Sequence, residues 1–131
     1  MKNMSDKKCV LNFGYFQLAR NESLKVNFRS RIGAVLVRSG KPISVGRNHP
    51  TKTHPLVRKY HLHKTIHAEF SCVIGINREL VSGSTMYIYR ETKDGTLALS
   101  KPCKTCMKFL KDIGIRKIYY TTKKGYLKEK I

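Results

Sequence analysis

Negative charge is what this chain has least of. Eight acidic residues stand against 27 lysines and arginines in 131 residues, a formal net charge of +19 at neutral pH. Such a surplus attracts polyanions, so the first expectation for a partner is nucleic acid or a small substrate carrying phosphate. The basic residues run along the whole chain with no single basic tail, and 18 of the 27 are lysine, so a compositional bias toward lysine is the competing explanation. Long apolar runs are also missing. No stretch approaches the ~20 residues that cross a bilayer, and MKNMSDKKCVLNFGYF has basic residues without the apolar core and small-residue end of a secretory signal. A cytoplasmic protein with no membrane partner is expected. Internal repeats, low-complexity segments and Ser/Gly linkers are absent too. Residues 1–131 are therefore read as one domain, 40% hydrophobic and able to build a core without disulfide staples.

Cysteine is sparse, with four in the chain. Cys103 and Cys106 form a C-x-x-C pair, which in a cytosolic setting points to metal or redox chemistry before a structural bridge. Cys72 is expected to be a packed thiol and Cys9 a thiol in a loose N-terminus.

Apolar spacing predicts a helix over Phe13–Leu24. RIGAVLVR (Arg31–Arg38) and PISVGR (Pro42–Arg47), separated by Ser39, Gly40 and Lys41, predict an antiparallel hairpin. Asn48–Lys64 is polar, basic and rich in histidine and proline, the main irregular segment. Helical spacing resumes over Thr65–Ile76, a strand is expected at Thr85–Arg90, and a helix over Pro102–Ile113 begins with proline and closes before Gly114. Lys117–Thr122 reads as a last strand. Strand, helix, strand, helix, strand implies βαβ crossovers with partly parallel pairing, hence an α/β class.

His67-Ala68-Glu69 and Pro102-Cys103-Lys104-Thr105-Cys106 open two of these helices. Imidazole nitrogen and thiolate sulfur suit tetrahedral Zn2+, and three protein ligands, His67, Cys103 and Cys106, leave a fourth position for water, as catalytic sites do. The positive ends of two helix dipoles favour thiolate over thiol. Glu69 follows His67 by two residues, so inside a helix it would point about 200° away unless the segment sits at the helix start. It is better placed beside the water than as a fourth ligand, where its carboxylate can act as general base and then general acid.

H-A-E followed by P-C-x-x-C resembles the cytidine deaminase superfamily, and the similarity runs over nearly the whole chain. RIGAVLVRSGKPISVGRN looks like the first two strands and substrate-contacting asparagine of deoxycytidylate and tRNA-type deaminases, and GIRKIYYTT like the strand after the zinc helix. The resemblance implies a single three-layer domain, with a mixed sheet of about four to five strands and helices on both faces. It implies hydrolysis of the exocyclic amine of a nucleobase, with Zn2+ as cofactor. It also implies that Asn48 contacts the sugar, that the Ala68 amide takes the base carbonyl oxygen, and that the Lys101 carbonyl accepts from the amine. KTHPLVRKYHLHKTIHAE and SKPCKTCMKFLKDIGI are similar to short phage-encoded deoxycytidylate-deaminase-like proteins, which favours cytosine. The chain departs from larger members by stopping at Ile131, soon after the last strand legible in it. It also has Leu99-Ser100-Lys101 where polynucleotide-editing enzymes carry aromatic-Ser before Pro-Cys.

His49, His54, His61 and His63 are read as solvated loop residues before a second metal site, since no cysteine accompanies them. Tyr87 and Tyr89 should share one strand face while Tyr119 and Tyr120 point to opposite faces, which buries about half of the four. A tyrosine could also stack on a base, and Arg29 and Arg31 could meet a phosphate or line a solvated loop. Three functions compete. The first is deamination of cytosine in a nucleotide such as dCMP. The second is the same chemistry on single-stranded DNA or RNA, tRNA included, which the charge suggests. The third is a catalytically idle zinc-stabilised nucleic-acid-binding module, against which the intact Glu69 argues. A homo-oligomer is left open.

Overall fold

The computed structural model describes residues 14–60 and 65–131. Strand β1 (Ile32–Arg38) pairs antiparallel with β2 (Lys41–Arg47) across a two-residue turn, Ser39–Gly40, in which both φ values are positive (51° and 76°). That turn geometry follows the right-handed twist of the flanking strands. Pro42 stands opposite Val37 at a register shift, on the outermost strand, where a residue without an N–H is tolerated. On its other side β1 pairs antiparallel with β3 (Thr85–Arg90), which pairs in parallel with β4 (Lys117–Thr122). The sheet order is β2-β1-β3-β4, closed by a fifth strand, β5 (Gly125–Lys130), antiparallel to β4. Parallel pairing is confined to β3–β4, because that is the one pair of sequential neighbours joined by a helical crossover, while β1–β2 and β4–β5 are joined by tight turns. β5 had no signal in the sequence: GYLKEK is mostly polar, and as an edge strand it leaves Leu127 52% exposed.

Helices cover both faces of the sheet, as the family resemblance implied. Helix α1 (residues 14–23) lays Phe16 and Ala19 on Val35, Val37, Tyr87 and Tyr89. Phe13, the first residue of the expected helix, lies outside the described residues. The opposite face, Ala34, Leu36, Met86, Ile88, Ile118 and Tyr120, is covered by α3 (Ala68–Val73) and α5 (Lys104–Asp112), with α2 (Pro55–Lys59) and α4 (Arg78–Val81) beside them. Phe70 of α3 and Phe109 of α5 stack with centroids 4.0 Å apart and an interplanar angle of 6°, and Tyr60 packs edge-on against both. Burying each such ring contributes roughly 1.5–3 kcal/mol. The alternation of β1 thus feeds two cores, one per face. Of the four strand tyrosines, Tyr87 and Tyr89 share the α1 face, Tyr120 lies on the other, and only Tyr119 stays half-buried.

Two expectations change. The 48–64 segment contains α2, started by Pro55 and capped by His54, whose Nδ1 accepts from the Leu56 amide at 3.1 Å. The helix expected from Thr65 begins at Ala68, because Ile66 pairs as an isolated bridge with His49, whose amide donates to the Ile66 carbonyl at 2.8 Å. Backbone pairing keeps Ile66 and His67 extended, and helical apolar spacing cannot reveal that.

Gly46 is where β2 meets α3. A β-carbon there would lie 2.4 Å from the Cys72 amide nitrogen and 2.8 Å from the Ala68 carbonyl oxygen, both backbone atoms that cannot yield without moving the helix. Gly46→Ala is therefore expected to destabilise the protein by about 1–3 kcal/mol, read by urea denaturation. Unchanged stability in that variant would contradict the packing described.

Candidate active site

Two helix starts meet on one side of the sheet. His67 is the N-cap of α3 (φ −80°, ψ 161°) and Cys103 the N-cap of α5 (φ −66°, ψ 170°), both extended. The Cys103 sulfur accepts from the Cys106 amide at 3.5 Å, so the C-x-x-C spacing is one capped helical turn. The donor atoms of His67, Cys103 and Cys106 all lie within 4.8 Å of one another, and His67 Nδ1 is 3.5 Å from Cys106 Sγ. A tetrahedral ion with Zn–S about 2.3 Å and Zn–N about 2.0–2.1 Å would hold N and S about 3.5 Å apart. The donor set and its spacing fit zinc. Cys106 is buried, His67 half-buried and Cys103 exposed, so the cluster opens to solvent on one side.

Glu69 lies in the first turn of α3 and is 4% exposed. His67 is still extended, so the two-residue separation does not carry the 200° turn of a continuous helix. The carboxylate feels both His67 and Cys103 electrostatically. Burial pushes its pKa up to about 7, against a hydrogen bond from its own backbone amide and the attraction of His67. His67 is raised above the ordinary histidine value, chiefly by its hydrogen bond to Cys103, with burial opposing. The Cys106 thiol is pushed up by its hydrogen bond to Cys103 and by burial. Without a cation each of these shifts favours the protonated form. A divalent ion among them inverts that preference, as bound cations do. Cys72 is a packed thiol as expected, pushed up by burial, while Cys9 lies outside the described residues.

Asn48 follows the end of β2. Its Oδ1 accepts from the Ile32 amide and its Nδ2 donates to the Ser30 carbonyl, both at 2.8 Å. It pins the segment before β1 beside the first turn of α3, and its amide keeps one further N–H and one lone pair. Ala68, the first residue of α3, has an amide with no acceptor inside the helix, and His67 makes no side-chain cap to it. Lys101 is exposed, with Nζ 3.3 Å from Glu129 of β5. Arg29 is exposed and Arg31 half-buried near Glu91. His49 approaches Ser71 Oγ at 3.4 Å, and His54 caps α2. His61 and His63 lie outside the described residues.

A buried hydroxyl pair escaped the sequence reading. Ser100 Oγ donates to the Ile88 carbonyl (2.9 Å) and accepts from the Thr121 amide (2.8 Å). Thr121 Oγ1 donates to the Ala98 carbonyl (2.7 Å) and accepts from the Arg90 amide (3.1 Å). The pair ties the ends of β3 and β4 to residues 98–100, which lead into Lys101 and the Cys103 turn. No local signal marks it, because a Thr in a strand and a Ser before Lys-Pro-Cys are ordinary. Ser100→Ala leaves the Thr121 amide without its partner, so a loss of about 1–3 kcal/mol is expected in chemical denaturation; a loss below ~0.5 kcal/mol would contradict that.

A His–Cys–Cys cluster at two helix starts, with a buried carboxylate alongside, on a mixed sheet between helix layers, defines a metal-dependent hydrolytic deaminase fold. Residues 14–122 match the family described as the cytidine and deoxycytidylate deaminase zinc-binding region, and the chain belongs to that family: it is a zinc-dependent deaminase of the cytidine/deoxycytidylate type. Among solved structures it resembles the dCMP deaminase of cyanophage S-TIM5 in apo form, at 24% identity and TM-score 0.60, over 84% of this chain and 81% of that one. The same phage enzyme in complex with dCMP and dUMP matches at 23% identity and TM-score 0.59, over 84% and 79%. Cytidine deaminase from Burkholderia pseudomallei matches at 15% identity and TM-score 0.63, over 90% and 91%. No match is found among curated protein sequences.

Proposed function

We propose that the chain hydrolyses the exocyclic amine of cytosine in a mononucleotide, dCMP or a close analogue, giving the uracil nucleotide and ammonia. The observation that carries this reading is the buried Glu69 carboxyl beside the His67, Cys103 and Cys106 donors. His67, Cys103 and Cys106 would hold Zn2+, which when bound supplies Lewis acidity and makes water a nucleophile near neutral pH. Glu69 takes a proton from the water that attacks C4 and gives it to ring N3. It then takes the proton of the new C4 hydroxyl and gives it to the amine, which leaves as ammonia as the C4 carbonyl forms. The Ala68 amide, unused inside the helix, binds the base carbonyl oxygen. The Lys101 carbonyl accepts from the amine and selects a base that carries one. Asn48 contacts the sugar through the amide hydrogen and lone pair that its bonds to Ser30 and Ile32 leave available.

The dCMP and dUMP bound to the cyanophage enzyme of the same fold support a nucleotide-sized substrate, as does the Leu99-Ser100-Lys101 lead-in to Pro102. The chain is read as one domain acting on the cytoplasmic nucleotide pool, alone or as a homo-oligomer. A second reading, deamination of single-stranded DNA or RNA, rests on the +19 charge. The test is to incubate zinc-loaded protein with dCMP, cytidine, single-stranded DNA and tRNA and to detect uracil or inosine by mass spectrometry at low and ~200 mM salt. Conversion of dCMP with little salt dependence is expected, since one phosphate group releases few counterions. Salt-sensitive conversion of a strand with no activity on dCMP would overturn the first reading in favour of the second. Zinc binding with no conversion of any substrate would support a non-catalytic module.

A further inference from the structure

Acidic groups are few, and most described ones are committed: Glu22 to Lys25 and Arg47, Glu91 to Arg20, Asp112 to Lys108, and Glu129 to Lys101. Asp94 bonds within its own turn. The lysines that remain are not evenly distributed. The last two strands and their turn carry Lys117, Lys123, Lys124, Lys128 and Lys130, with Glu129 the single acid among them. In the β4–β5 ladder Lys117 is paired directly with Lys130, and Tyr119 with Lys128. Paired residues share a face, so these four side chains form one patch, and across β3 the ladder sets Tyr87 opposite Tyr119. The two rings stack with centroids 4.4 Å apart and an interplanar angle of 3°. Tyr119 is half-buried, and Lys128 and Lys130 are exposed. Lys117, Lys128 and Lys130 make no ion pair among the described residues.

Like charges directly opposite each other in a ladder are destabilising. A pair of lysines held in register beside a third and an aromatic ring is therefore a local cost to the fold that a bound polyanion would relieve. We propose that this face of the β4–β5 hairpin docks single-stranded nucleic acid: Lys117, Lys128 and Lys130 take its phosphates, and the ring of Tyr119 receives a base. Lys128 and Lys130 stand about 6.8 Å apart along the strand, within reach of nearby phosphates for flexible side chains. The aromatic requirement distinguishes a single strand, whose bases can stack on a side chain, from a duplex, whose bases are already stacked. The patch lies on the α1 face of the sheet, opposite the layer of α3 and α5 that bears the deaminase site. Docking is thus separate from the reaction and does not depend on which substrate the zinc site takes.

The probe is fluorescent oligo(dT), which has no exocyclic amine and is not a deaminase substrate. Anisotropy titrations of the full zinc-loaded chain across ~50–200 mM salt should show binding that weakens with salt. The combined change Lys117→Gln, Lys128→Gln, Lys130→Gln should cost at least tenfold in affinity. It should also reduce the slope of log K against log salt by about 2, three phosphates at about 0.7 each. Tyr119→Leu should cost about fivefold or more, from the loss of one base stack. Zinc content and mononucleotide turnover should be unchanged in both variants, which separates failure here from failure of the catalytic reading. Neutralising Lys41, Arg58 and Lys93, exposed residues elsewhere, removes the same charge and should cost less than threefold. The proposal is overturned if this control weakens binding as much as the hairpin variant, if Tyr119→Leu binds like the parent, or if a blunt DNA duplex of equal length binds as tightly as oligo(dT).

Discussion

Glu69→Gln is expected to lower deamination of the best substrate by about 10²- to 10⁴-fold, the usual worth of a positioned general acid–base group, while zinc content stays near one per chain. The amide is close in size and can still hydrogen-bond, but cannot take a proton from water. Metal analysis and single-turnover rates on the same preparation check both halves. Loss of zinc would make Glu69 a ligand, and retained turnover would remove it from the chemistry. The same variant has a stability signature. The folded pKa of Glu69 is raised from 4.5 to about 7 by burial, so in chelator-treated protein the native state binds a proton that the unfolded chain has released. Its contribution is fully present below pH 4.5 and is lost as pH rises through about 7. Metal-free parent protein should therefore lose stability across that window, and Glu69→Gln should flatten this part of the profile. An identical pH profile in the two proteins would mean that Glu69 is not buried as described.

Cys106→Ala and Cys103→Ala should each weaken zinc binding by more than 100-fold, beyond the 10–100-fold typical of losing a group that only supports a ligand. Folding should suffer too, since metal binding and folding are coupled. Cys103→Ser separates the two causes. Serine is a good N-cap, so α5 should keep its start and its circular dichroism while zinc and activity are lost. If Cys103→Ser kept full zinc and turnover, the ligand assignment would fail. If it lost helix content as severely as Cys103→Ala, the bond to the metal and not the cap would be what holds the start of α5.

His67, Glu69, Cys103 and Cys106 were legible in the sequence because their chemistry is local. Each pair, His67 with Glu69 and Cys103 with Cys106, sits within one turn at the start of a helix, and the residue types alone restrict what can bind there. β1 and β3 were legible as short apolar runs, because both faces of each strand are buried, and α5 was legible from its Pro102 start and Gly114 stop. Tertiary structure decided the rest. Whether Glu69 could share a side with His67 depended on Ile66 being held extended by His49, 17 residues earlier. Asn48 turned out to spend two hydrogen bonds on Ser30 and Ile32, although its sequence context offers only a turn after Gly46. The Ser100–Thr121 pair joins residues 21 apart, and β5 exists because β4 offers an edge, since GYLKEK has little apolar pattern of its own. Short-range sterics and burial period are written residue by residue along a chain. The pairing of distant backbone groups, the satisfaction of buried hydroxyls and the register that sets Lys117 against Lys130 are properties of contacts, and they appear only once the strands are side by side.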